Sequence, residues 1–177
     1  MNYINNYNLI VALCKNNGIG KDGKLPWNIK EDMQYFTKYT KGNNNNAIIM
    51  GKNTWDSLPK KSLNGRDNFI ISSKIIIDEI MPDGHRIKSF KNIDHVINFC
   101  SFIKYDNIWI IGGSTIYKEF LERNIINKCY ITYINQEYLC DSFFTIDFNN
   151  WELLHTNSII TNGNINITFT EFIYKKN

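Results

Sequence analysis

The stretch NIWIIGGSTIYKEFLER, Asn107 to Arg123, changes character at its glycines. Asn107–Ile111 is a short apolar run of the kind found in strands buried on both faces. Gly112 and Gly113 interrupt it, and Ser114–Arg123 reads as a helix opened by two hydroxyl residues. Such a junction has a chemical use. Glycine lets a ligand approach the backbone, and a helix N-terminus offers unpaired N–H groups to a phosphate.

IIMGKNTW, Ile48 to Trp55, repeats the pattern: a strand over Ala47–Gly51, then a short helix through Trp55. ISSK, Ile71 to Lys74, ends another strand, Asn68–Ser72. None of the three matches GxGxxG or the Walker pattern, and each alone reads equally well as an ordinary turn. Together they place three turns at the C-terminal ends of expected parallel strands, where open α/β sheets bind ligands. A dinucleotide with several phosphates could use all three.

The rest of the chain keeps the alternation. Asn8–Lys15 and Lys128–Ile134 read as strands, His85–Phe90 as a weaker one, and Asn92–Phe102 as a helix. Near the end, WELLHTNSII and INITFTEFIY flank TNGN, and Asn162-Gly163 is a hairpin signal. The expected architecture is a mostly parallel sheet with flanking helices and a C-terminal antiparallel hairpin. No linker or internal repeat appears, so a single domain over residues 1–177 is expected.

A helix starting near Asn28, its expected N-cap, would carry Ile29, Met33 and Phe36 on one side. Asp32 lies three residues after Ile29 and four before Phe36, beside that apolar stripe. A buried carboxylate without a partner is costly. Two readings fit the spacing: an edge residue that reaches water, or an acceptor for a ligand that brings hydrogen-bond donors.

Composition narrows the choices. The chain has 177 residues, 43% of them hydrophobic and 14% aromatic, which is globular rather than disordered. A net charge of +3 without any cluster of Lys and Arg gives no support to nucleic acid. There is no run long enough for a membrane span, and MNYINNYNLIVALC lacks a secretory n-region, so a cytoplasmic protein is expected. Cys14, Cys100, Cys129 and Cys140 form no CxxC or zinc pattern and read as thiols in a reducing compartment. His85, His95 and His155 are isolated, and no metal site is expected. No GxSxG supports covalent catalysis.

At this point the ordered segments carry a resemblance. IVALCKNNGIGKDGKLPW, the helix with Asp32 and Phe36, IIMGKNTWDSLP, LNGRDNFIISS, WIIGGSTIYKEFL, CYITYI and DSFF resemble the dihydrofolate reductase family in order and spacing. The resemblance implies an eight-stranded, mostly parallel sheet and NADPH-dependent reduction of 7,8-dihydrofolate to tetrahydrofolate, in support of thymidylate and one-carbon metabolism. It implies antifolates as further ligands and a monomer.

It also implies roles. Asp32 would bind the pterin ring, Thr132 would hydrogen-bond that acid and the pterin amino group, and Trp27 would order a water beside them. Ile10, Val11, Ala12, Met33, Phe36, Leu58, Leu63 and Ile111 would line the folate cleft. Arg66 would clamp the glutamate α-carboxylate; outside the resemblance it reads as a solvated charge. For the cofactor, Ala12, Ile111 and Tyr117 would lie near the nicotinamide, under a loop over Asn16–Lys24 with Ile19 and Gly20 in contact. Gly51, Lys52, Asn53, Thr54, Gly112, Gly113, Ser114, Thr115 and Ile116 would also bind the cofactor. Ile71, Ser72, Ser73 and Lys74 complete the cofactor set. Asn53 stands where many members carry a second basic residue, and Ser73 where animal members carry arginine although a Ser-Ser pair also occurs in the family, which leaves chiefly Lys52 and Lys74 for a 2′-phosphate. Two other readings stay open: a sister reductase of the same fold acting on a ribosylated pyrimidine, and a binding protein that keeps the fold without the activity.

Overall fold

The computed structural model describes residues 2–175. The strands, in chain order, are β1 (Tyr7–Cys14), β2 (Gly18–Gly20), β3 (Asn46–Gly51), β4 (Asp67–Ile71), β5 (Asp78–Ile80), β6 (Arg86–Phe90), β7 (Asn107–Ile110), β8 (Ile126–Ile134), β9 (Ser142–Phe143), β10 (Trp151–Ile160) and β11 (Asn166–Tyr174). The helices are α1 (Lys30–Lys41), α2 (Lys52–Ser57), α3 (Ile93–Ser101) and α4 (Ser114–Glu122).

Nine strands form one sheet in the order β10-β11-β8-β1-β7-β3-β4-β6-β5. The run from β8 to β6 is parallel. The pairs β10–β11, β11–β8 and β5–β6 are antiparallel. The sheet has one strand more than the eight expected. The addition is β5, three exposed residues at the edge, which have no buried face to write into the sequence.

Alternation along the central strands divides the core. Leu9, Val11, Ile49 and Phe69 face α3 and α4, meeting Ile93, Val96, Ile116 and Phe120. Ile10, Ile48, Met50 and Ile70 face the other way, against Tyr35, Phe36 and Tyr39 of α1 and Trp55 of α2. Strands buried on both sides explain the continuous apolar runs.

Two local expectations are corrected. The N-cap of α1 is Ile29, not Asn28. Ile29 is buried, and its carbonyl accepts the Met33 N–H at 3.1 Å, so anchoring that side chain in the core sets where the helix begins. The C-terminal hairpin turns through Thr161–Ile165 rather than on Asn162-Gly163 alone. Thr161 N–H donates to the Ile165 carbonyl at 2.9 Å, and the left-handed residue is Asn164 (φ 57°). Separately, β2 pairs with β9, tying the segment after β1 to a distant part of the chain. Among the described residues, no helix is long and apolar enough to cross a membrane.

Candidate active site

The C-terminal ends of β1, β3 and β7 lie side by side, with Leu9 and Ile49 both opposite Ile110. A cleft of about 520 Å³ opens there. Its floor is Ile10, Val11 and Ala12. Asp32, Met33 and Phe36 of α1, with Leu58, Pro59 and Leu63, form one wall. Ile111 to Tyr117 line it from the end of β7 and the start of α4, and Ile19, Gly20, Gly23, Lys24 and Leu25 line it from the segment after β1. Met33 is 43% exposed despite its place in the apolar stripe, because that part of the stripe faces the cleft.

Asp32 is 6% exposed. Burial raises its pKa from 3.8 to about 6, and the neighbouring Thr132 hydroxyl offsets part of that rise. No cation contributes to its shift. Thr132 is delivered by β8, opposite Ala12 of β1. Tyr117, fully buried, donates its hydroxyl to the Ile10 carbonyl at 2.8 Å. Burial, and next the Asp32 charge, push its pKa far up, so it remains a neutral donor.

The other half of the cleft is built from glycine. Gly51 N–H donates to the Gly112 carbonyl at 2.7 Å, so the two junctions pack on each other. A Cβ on Gly51 would stand 3.1 Å from Ile116 Cγ1. Gly112 has φ 116°, and a Cβ there would meet the Tyr117 hydroxyl at 3.2 Å. The first turn of α4 has no side-chain cap, and Ser114, Thr115 and Ile116 line the cleft. Asn53 and Thr54 reach it from α2. Backbone donors around a space that side chains would fill fit a pyrophosphate.

Most of the expected residues therefore meet in one cleft, but several do not line it. Trp27 lies outside the lining, buried against Tyr138 with ring centroids 5.4 Å apart. Its indole N–H has no hydrogen-bond partner in the protein. Arg66 is also outside the lining, and it is not a solvated charge: it is 4% exposed. It donates from Nη1 to the Thr40 hydroxyl at the end of α1, and from Nε to the Asn64 carbonyl at 3.2 Å. Burial lowers its pKa to about 10, which leaves it charged at neutral pH. Among the described residues, no carboxylate pairs with it.

Lys52 is turned to Asp56, one helical turn on, and Asp56 also holds Lys61 at 3.3 Å. Ile71, Ser72, Ser73 and Lys74 stand at the end of β4 beside Gly51, off the cleft lining. Sequence reasoning missed Ser57, Pro59, Asp141 and Ser142, which do line it. The Asp141 carboxylate accepts the Asp22 N–H at 2.9 Å across 119 residues of chain, and no local pattern announces such a contact. Among the described residues, no group of three or more His, Cys, Asp or Glu could hold a metal ion.

A family model described as dihydrofolate reductase matches residues 6–176. The dihydrofolate reductase of Heliothis virescens is 34% identical over 180 residues, covering 96% of this chain and 96% of that protein. That of Gallus gallus is 36% identical over 163 residues, 85% of this chain and 84% of that protein. The viral dihydrofolate reductase of Saimiriine herpesvirus 2 (strain 488) is 39% identical over 156 residues, 83% and 72% of the two chains. With a near-complete family match and a cleft that pairs a buried carboxylate with a glycine cradle, the chain belongs to the dihydrofolate reductase family, whose members use NADPH to reduce 7,8-dihydrofolate to tetrahydrofolate.

Proposed function

We propose that Asp32 is the residue on which substrate recognition and protonation both turn. The carrying observation is a buried carboxylate without a cation, in an apolar wall, with Thr132 on one side. A pterin edge presents an amino group and a ring N–H side by side. A carboxylate accepts both in a bidentate, charge-assisted geometry, and the apolar wall strengthens the contact by excluding water. Thr132 holds the carboxylate in orientation.

When bound, NADPH supplies the hydride from its nicotinamide. Ala12, Ile111 and Tyr117 position the nicotinamide against pterin C6, with Tyr117 fixed by its bond to Ile10. Asp32 favours protonation at N5 electrostatically and through a water that the Trp27 indole N–H and Thr132 orient. Gly51, Gly112 and Gly113 with the first turn of α4 take the pyrophosphate. Phe36, Leu58 and Leu63 pack on the aminobenzoyl group, and Arg66 takes the glutamate α-carboxylate. The 2′-phosphate falls to Ser72, Ser73 and Lys74, because Lys52 is engaged by Asp56.

The chain acts as a monomer in the cytoplasm on this reading, in keeping with four free thiols. Arg66 favours folate over the ribosylated pyrimidine of a sister reductase, since only folate brings an α-carboxylate. The test is the fall in NADPH absorbance with each substrate in turn, and with NADH as control. Rapid turnover of dihydrofolate with NADPH is expected. Turnover of the pyrimidine alone would overturn the assignment.

A further inference from the structure

Cys14 ends β1, and Cys140 lies two residues before β9. They are 126 residues apart in the chain, yet their sulfurs stand 3.8 Å apart. Both are free thiols; Cys14 is buried and Cys140 only partly so, which leaves a reagent an approach through Cys140. Gly18 makes the room, because a Cβ at that position would overlap the Cys140 sulfur. The Cys140 thiol therefore lies directly on the backbone of β2.

This is the base of the segment that lines the cleft through Ile19, Gly20, Gly23 and Lys24. Residues 16–24 rest on residues 138–144 through the short β2–β9 pairing, the bond from the Asp22 N–H to Asp141 and further hydrogen bonds, several of them near solvent. Asn16 Nδ2 donates to the Tyr138 carbonyl at 3.2 Å. The N–H of Asp141 donates to the Gly20 carbonyl, and that of Phe144 to the Asn17 carbonyl, both at 3.0 Å. A two-residue strand pairing edged by solvent-exposed contacts opens more readily than the core. A covalent tie at their edge would hold the segment down.

We propose that Cys14 and Cys140 form a reversible redox site, in which oxidation by a low-molecular-weight disulfide fastens the segment over the cleft and slows turnover. Joining the sulfurs requires an S–S distance of about 2.05 Å, so the closing movement is under about 2 Å. The Cys140 thiolate attacks the reagent's S–S bond and expels one thiol. The Cys14 sulfur then attacks Cys140 in the mixed disulfide and expels the second. The protein gives up two protons and two electrons, and the reagent takes them up and leaves as two thiols. Burial, then Cys14 itself, push the Cys140 thiol up, so the exchange is slow and needs excess reagent. Cys100 and Cys129 serve as silent internal controls: both are buried, and burial pushes the Cys100 thiol up to about 12 and Cys129 higher still.

The effect on turnover rests on the reading of the cleft given above; the thiol pairing does not. The experiment treats the reduced full chain with excess oxidised glutathione and follows mass, peptide map, free thiols in denaturant, and NADPH turnover with dihydrofolate. Expected are a loss of about 2 Da and a peptide joining Cys14 to Cys140. Two of the four thiols should remain free. Turnover should fall about threefold or more, as for a hindered closing loop, and dithiothreitol should restore it. Cys140→Ser should keep its resting turnover and ignore the reagent. Four free thiols after treatment, glutathione adducts without a bridge, or a bridge with unchanged turnover would overturn the proposal. A bridge in a chain inactive both before and after treatment would support the thiol pairing and overturn the reading of the cleft.

Discussion

Asp32 stays ionised at neutral pH among apolar side chains, and this lowers stability. Its pKa is 3.8 in its ordinary state and about 6 in the folded chain. Between those values the folded state holds the proton more tightly than the unfolded chain does. Stability therefore falls as pH rises from about 4 to about 6, and the full penalty, ~3 kcal/mol at most, persists above that. Asp32→Asn is expected to unfold several degrees higher than the native chain at pH 7.5, at ~2–4 °C per kcal/mol, with the gap closing near pH 4. Thermal unfolding at the two pH values checks this, and equal stability at pH 7.5 would contradict it. Arg66 is the complementary case, a buried cation awaiting an anion. Arg66→Leu should weaken dihydrofolate roughly 30-fold, ~2 kcal/mol, the lower end for removing one partner of an ion pair. A small diaminopyrimidine without the glutamate tail should change less than about threefold, since its contacts lie elsewhere. Fluorescence quenching gives both dissociation constants; equal losses would make Arg66 a structural residue. Lys74→Ala should weaken NADPH more than NADH, by about fivefold for an exposed phosphate contact of ~1 kcal/mol. Lys52→Ala, which removes a cation already engaged by Asp56, should change the affinity of neither cofactor by more than about twofold in the same titration. The sequence exposes Asp32 because its spacing puts an acid beside an apolar stripe. It hides Arg66, because NGRDN looks the same whether the guanidinium meets water or Thr40, 26 residues away.

The junctions between strands and helices were readable for a similar reason. A buried parallel strand is apolar throughout, and the glycines that follow are unavoidable where two backbones touch. Gly112→Ala tests that. Its φ of 116° disfavours any side chain, and the new Cβ would press on the Tyr117 hydroxyl. The variant should lose ~1–3 kcal/mol of stability and bind NADPH more weakly, with thermal unfolding and cofactor titration as the measurements. Unchanged affinity would show that the cofactor does not approach this turn. Short exposed elements left no such trace. β5 is three exposed residues long, and β9 only two, of which Phe143 is exposed. Their strand character comes from pairing rather than from their own pattern, β9 with β2 far back along the chain and β5 with the neighbouring β6. The start of α1 was misplaced because a buried Ile29 outweighs an available Asn28 cap.

Across the chain, periodicity was enough for a doubly covered, mostly parallel sheet, because each central strand buries both faces. Strand order was not readable: β1 lies between β7 and β8, which follow it by some hundred residues. That order carries function, since it brings Thr132 of β8 and Tyr117 after β7 to opposite sides of β1, facing Asp32 from α1. If this assembly performs the reduction, removing one charge should stop chemistry and spare the cofactor half of the cleft. The decisive measurement is steady-state NADPH oxidation with dihydrofolate at neutral pH for the native chain and Asp32→Asn, with NADPH affinity measured beside it. Turnover should fall at least ~100-fold, the range for a lost acid–base group, while NADPH affinity stays within about threefold. Near-native turnover of Asp32→Asn would contradict the account.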